Sequence, residues 1–173
     1  MRYKDETKDW IFIPEDEAKR LIDAVSPRWQ LAVKVVYHYG MRVSELLSMT
    51  SENFKNGELV VKRLKHGRTT RQIIIPELRQ ELETLVASLP RGTRLFPISR
   101  VNFWRNLQDA ANRSGVDPKL AHAHAFRHGC GRRWAKIGTI NELAAMLGHR
   151  SIQATMMYTT LSCDPELSKK FLA

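Results

Sequence analysis

Apolar residues recur at helical spacing along most of this chain, and the period switches to that of a strand in one place only. Ala18, Leu21, Ile22 and Val25 form a first stripe behind Pro14, which sits where the first residue of a helix would. Ser26-Pro27 ends it. Ala32, Val35, Val36 and Tyr39 mark a second helix, stopped by Gly40. A third, short helix starts near Val43 and carries Leu46 and Leu47 inward. Then Glu58-Leu59-Val60-Val61 and Gln72-Ile73-Ile74-Ile75 read as two short β-rich runs, with Gly67 near the middle of their connection. Helical spacing returns at Pro76 with Leu78, Leu82, Leu85, Val86 and Leu89, until Pro90-Arg91-Gly92 breaks it. Ser99 is a candidate N-cap for a helix ending at Gly115. A helix from about His124 to Ile137, closed by Gly138, and short helices over Ile140–Leu147 and Ser151–Tyr158 complete the run. The pattern predicts an α+β fold, mostly α-helical, with one small antiparallel β-sheet or hairpin.

With 173 residues the chain is one domain by length. It has no apolar run of membrane-spanning length and no leader-like N-terminus, and its two cysteines, Cys130 and Cys163, make no disulfide framework. These features argue against membrane and disulfide-rich secreted classes and lead us to expect a cytoplasmic protein.

The charge narrows the function. Lys and Arg number 28 against 18 Asp and Glu, a balance of +10. The excess is local. Lys62, Arg63, Lys65, Arg68 and Arg71 fall in one acid-free stretch, and Lys119, Arg127, Arg132, Arg133 and Lys136 in another. Two acid-free patches point to a polyanion rather than to a generally solvated surface.

Four groups of residues look like chemistry. Arg42 opens the third helix just after Gly40, where backbone amides and a guanidinium together favour an anion; a surface arginine paired with Glu45 is the plainer alternative. In His122-Ala123-His124-Ala125-Phe126-Arg127-His128, the side chains of His124 and Arg127 share a helix face, as suits a site that handles a phosphate and a proton. His122, His124, His128 and Cys130 also offer a metal cluster, but the spacing matches no zinc pattern and the arginines would repel a cation. Leu147-Gly148-His149 precedes Tyr158 by nine residues. This segment has a competing reading as a helix-turn-helix with Ser151–Tyr158 as recognition helix. Lys65 stands on the basic connection, where a lysine can reach a groove or a scissile phosphate.

In order, Gly40-Met41-Arg42-Val43-Ser44-Glu45-Leu46, a hairpin lysine at Lys65, His124-x-x-Arg127-His128, Leu147-Gly148-His149 and Tyr158 resemble the motifs of tyrosine recombinases, the phage integrases, over roughly Phe12 to Ser162. The resemblance implies site-specific DNA recombination by transesterification, without metal, ATP or other cofactor. Tyr158 would attack the scissile phosphodiester and leave a 3′-phosphotyrosyl link. Arg42 and Arg127 would clamp the non-bridging oxygens, Lys65 would protonate the leaving 5′ oxygen, His124 would accept the tyrosine proton and His149 would hydrogen-bond the phosphate. Glu45 would orient Arg42 or His124. Lys62, Arg63, Arg68, Arg71, Arg132 and Arg133 are the expected DNA contacts.

The hairpin is slightly long for the family, so the lysine role could fall to Lys62. Phe126 stands where leucine is common, and Gly129 and Gly131 weaken the helix after Arg127. The resemblance further implies a catalytic core over 12–162 flanked by an extension (1–11) and a tail (163–173), without the family's separate N-terminal DNA-clamping domain. It implies double-stranded DNA as partner, a homo-oligomer (a tetramer) formed on that DNA with the tail docked in cis or in trans, and a place on the nucleoid of a bacterial or phage-infected cell. Two other readings remain open: a non-catalytic helix-turn-helix regulator and a type IB topoisomerase.

Overall fold

A computed structural model describes residues 11–63 and 69–158. Eight helices and one sheet follow the period read from the sequence. They are α1 (Glu15–Ala24), α2 (Pro27–Tyr39), α3 (Val43–Ser48), β1 (Phe54–Lys55), β2 (Glu58–Val61), β3 (Thr70–Ile73), α4 (Pro76–Ala87), α5 (Arg100–Ser114), α6 (Ala123–Ala135), α7 (Ile140–Leu147) and α8 (Gln153–Met156).

Helix α2 is the axis of the molecule and packs on α1, α3, α4 and α6. Its Ala32, Val33, Val35 and Val36 are buried with Leu21 of α1, Leu78 and Leu82 of α4, Phe103 and Leu107 of α5 and Phe126 of α6 in one core. On α4 the apolar stripe is narrower than expected, because only Leu78 and Leu82 are buried while Leu85, Val86 and Leu89 cover the rim. Ser99 caps α5 as anticipated: its Oγ accepts from the Asn102 amide at 3.1 Å. Helix α6 ends at Ala135, short of Ile137, and the amides of Ile137 and Gly138 turn back to the Trp134 carbonyl.

The sheet runs β1-β2-β3, all antiparallel. Val61 pairs with Thr70 and Glu58 with Ile73, so Leu59, Val61, Thr70 and Gln72 face inward. The second run begins at Thr70, two residues earlier than its apolar residues suggested, and Ile74 and Ile75 lie past the strand. Strand β1 was missed, though Asn56-Gly57 announces a tight hairpin. Both residues have positive φ, 51° and 75°. Strand β3 packs on α7, where Gln72 Nε2 donates to the Met146 carbonyl at 2.8 Å. This contact sets the root of the basic connection beside Gly148 and His149.

The helix-turn-helix reading finds no support, since α8 is a single turn of four residues. Among the described residues no helix is long and apolar enough to cross a membrane.

Candidate active site

The site is assembled around the end of α2. Gly40 takes a left-handed conformation, φ 57°, and a Cβ there would stand 2.9 Å from Leu147 Cδ2 and 3.2 Å from Cys130 Sγ. Only glycine meets both demands. The chain can then turn at once into α3, which Glu45 caps by accepting the Arg42 amide at 2.8 Å. The other carboxylate oxygen of Glu45 accepts from Arg42 Nη1 at 2.7 Å.

Glu45 is almost fully buried and serves three guanidinium groups. Arg63 Nη1 lies 3.1 Å from it and Arg127 Nη1 4.0 Å. Burial by itself would raise the carboxyl's pKa. The Arg42 amide, the charge of Arg63 and the Arg42 guanidinium outweigh it and hold the group below the usual carboxylate range. Arg63 uses all its donors. Nε faces Thr70 Oγ1 at 3.2 Å, Nη1 faces Glu45 and the Gly40 carbonyl (3.5 Å), and Nη2 faces the carbonyls of Tyr39 (3.2 Å) and Met146 (2.8 Å). Arg127 shares the Gly40 carbonyl and donates through Nη2 to the Leu147 carbonyl at 2.9 Å.

Arg127 Nη2 also meets His149 Nε2 at 2.9 Å, and His149 Nδ1 lies 2.9 Å from Thr155 Oγ1. A guanidinium only donates, so Nε2 accepts and the His149 proton sits on Nδ1, pointed at Thr155. Burial, followed by the charges of Arg127, Arg42 and Arg63, depresses the His149 pKa to about 4 and keeps the ring neutral. The Tyr158 ring lies nearly parallel to His149, 9° apart with centroids 6.4 Å apart. Its hydroxyl lies 2.9 Å from His128 Nδ1. Burial, only partly offset by Arg127, raises the phenol pKa. His128 is depressed to about 4 by burial, by His124 and by Arg127.

A cleft of about 370 Å³ opens beside this group, lined by Arg42, Ser44, Arg100, Trp104, His122 and His124. Trp104 is half exposed, and Arg100 Nη2 hydrogen-bonds Ser44 Oγ at the rim. Of Arg42 and Arg127, it is Arg42, with a side chain 24% exposed, that lines this cleft, whereas the Arg127 side chain, 3% exposed, lies beneath it.

The structure therefore brings Arg42, Glu45, Arg127, His149 and Tyr158 together and sets His124, exposed, on the cleft wall. Lys65 and Arg68 lie outside the described residues. One of the expected DNA contacts is corrected. Arg63 is buried within the fold and cannot meet a phosphate from there. Arg133 stacks on the Tyr37 ring, 3.8 Å from its centroid, and donates to the Tyr37 carbonyl at 2.6 Å. Arg132 lies over Phe12, and Arg71 pairs loosely with Glu58 at 3.4 Å; both are exposed, as is Lys62. Cys130 faces α2, donating to the His38 carbonyl at 3.3 Å, and burial lifts its thiol pKa to about 12.

Sequence reasoning missed Arg63 as a scaffold residue and His128 as the neighbour of Tyr158. Neither left a local signal, because each sits beside residues of the same type.

The model of the phage integrase family matches residues 11–163. The type 1 fimbriae regulatory protein FimE of Escherichia coli K12 is 29% identical over 154 residues, covering 79% of this chain and 76% of FimE. Tyrosine recombinase XerA of Pyrococcus furiosus is 29% identical over 167 residues, covering 87% of this chain and 57% of XerA, so the chain spans little more than half of that relative. The catalytic domain of bacteriophage HP1 integrase superposes with a TM-score of 0.72 at 25% identity, covering 94% of this chain and 95% of that domain. A match over most of the chain, the shared fold and the convergence of Arg42, Arg127, His149 and Tyr158 agree: the chain belongs to the phage integrase family and, with it, to the tyrosine recombinases.

Proposed function

We propose that this chain cleaves and rejoins DNA at specific sites through a 3′-phosphotyrosyl intermediate formed on Tyr158. The observation that carries the reading is the placement of a half-buried phenol against an arginine-supported imidazole, beside a cleft that Arg42 enters. Tyr158 Oη attacks phosphorus, and the 5′ oxygen leaves with a proton from Lys65. The broken bond is exchanged for a phosphotyrosyl ester of similar energy, so rejoining needs no nucleotide. Arg42 meets the non-bridging oxygens from the cleft. Arg127 adds its charge from beneath, in a water-poor setting where charge is felt strongly.

His149 turns its proton toward Thr155 while Arg127 occupies Nε2. It becomes a donor to phosphate when the incoming anion draws Arg127 away and favours protonation of Nε2. Glu45 keeps the arginines in register. An α6 imidazole receives the tyrosine proton, and His124, on the cleft wall, is the one expected from motif order.

Double-stranded DNA is the partner this reading requires, with Lys62, Arg68, Arg71 and Arg132 as backbone contacts and a tetramer, linked by the chain's tail, as the working assembly. The test is a pool of nicked duplexes with randomised sequence around the nick. In EDTA the protein forms an SDS-resistant adduct whose DNA can be sequenced, and Tyr158→Phe forms none. An adduct that survives Tyr158→Phe, or a pool that yields none, overturns the reading.

A further inference from the structure

We propose that Thr155 is a positioning residue that joins two working parts of the site: its hydroxyl fixes which nitrogen of His149 carries the proton, and its carbonyl fixes where Tyr158 sits after α8. The proposal rests on the recombinase reading and adds a named residue to it. Three observations converge. First, α8 buries one side chain, and that side chain is polar. Gln153, Ala154 and Met156 are exposed, while Thr155 is fully buried. A helix held by packing alone would place an apolar residue there. Second, the buried hydroxyl has His149 as a partner, with Oγ1 2.9 Å from Nδ1. Third, the Tyr158 amide donates to the Thr155 carbonyl at 3.0 Å, and the Tyr158 and His149 rings lie 9° from parallel.

A neutral imidazole has one proton and two nitrogens, and the hydrogen bond made at one nitrogen decides the state of the other. Arg127 Nη2 can only donate, lies 2.9 Å from Nε2 and requires a lone pair there. Thr155 Oγ1 accepts from Nδ1–H across the ring, so both contacts select the same tautomer. When phosphate draws Arg127 away, Nδ1 stays protonated against Thr155. The next proton therefore goes to Nε2, the nitrogen that can meet a non-bridging oxygen. Thr155 itself takes no part in the proton or phosphoryl transfer. Without its hydroxyl a buried N–H loses its acceptor, and the ring is free to turn or to carry its proton on Nε2.

The test uses the full chain and the duplex recovered from wild-type adducts. Thr155→Val keeps the shape of the side chain and removes the acceptor. At saturating DNA it lowers single-turnover adduct formation by about 10- to 100-fold, the range for a buried donor left unpaired. DNA affinity is unchanged, and Thr155→Ser, which keeps the hydroxyl, recovers most of the rate. In a His149→Ala background Thr155→Val slows the reaction no further, because the ring through which it acts is gone. Nitrogen-15 NMR of the DNA-free protein gives the second measurement: the His149 proton resides on Nδ1, and Thr155→Val abolishes that single tautomer. The proposal is overturned by wild-type cleavage in Thr155→Val, by Thr155→Ser as slow as Thr155→Val, by an equal loss in the His149→Ala background, or by a wild-type spectrum with the proton on Nε2. The recombinase reading fails separately, on a wild-type adduct that does not require Tyr158, and leaves the tautomer measurement standing.

Discussion

Arg63 and Tyr158 are held in contrasting ways. Arg63 reaches acceptors on four segments of the chain: the end of α2, α3, β3 and α7. Tyr158 follows the one-turn helix α8, its hydroxyl meets His128, and its amide returns to the Thr155 carbonyl at 3.0 Å. The arginine half of the site is thus built into the core, and the nucleophile half is laid against it. A transition state of growing negative charge is served best by dipoles and charges that need not reorganise. The group that changes covalent partners needs the opposite, a light anchorage.

The comparison breaks most visibly at Glu45. Glu45→Ala leaves the Arg63 guanidinium buried without its counter-ion, and urea denaturation should show a loss of about 3–5 kcal/mol. A loss below about 1 kcal/mol would mean the arginine half is not held through this carboxylate.

Acid probes the nucleophile half. His38, His128 and His149 have pKa values depressed to about 4, each chiefly by burial, against an ordinary 6.5. An unfolded chain takes up protons as the pH drops below about 6.5, while the folded one does so only near 4. Stability is therefore full above 6.5 and falls steadily toward pH 4, and thermal melts across that window should show the decline. A melting temperature unchanged from pH 7 to 4.5 would mean that water reaches these rings.

The smallest effect is expected at Arg71, whose pair with Glu58 is exposed. Arg71→Ala should leave stability within about 0.5 kcal/mol. On DNA it should weaken binding and reduce the slope of log affinity against log salt by about one, as for a lost phosphate contact. A stability loss without a change of slope would return Arg71 to the scaffold, beside Arg63.

That last contrast shows what the sequence could carry. Gly40, Ser99 and the two strand runs were legible because a left-handed stop, an N-cap and a period of two are local facts. Arg63 was not. It shares an acid-free run with Lys62 and Arg71, and only register decides that residue 63 turns inward while those two stay exposed. His128 was hidden for a similar reason. Whether it or His124 meets the nucleophile depends on where Tyr158, 30 residues later in the chain, is laid down.

Gly40 has a consequence for how such a chain can vary. Its single carbonyl receives both Arg63 and Arg127, and it is carried at the tip of a 13-residue helix. Adding or removing one residue within α2 would turn that tip by about 100° and shift it by about 1.5 Å. Both guanidinium groups would then lose their shared acceptor at once. Length changes in α2 are therefore barred by the chemistry itself.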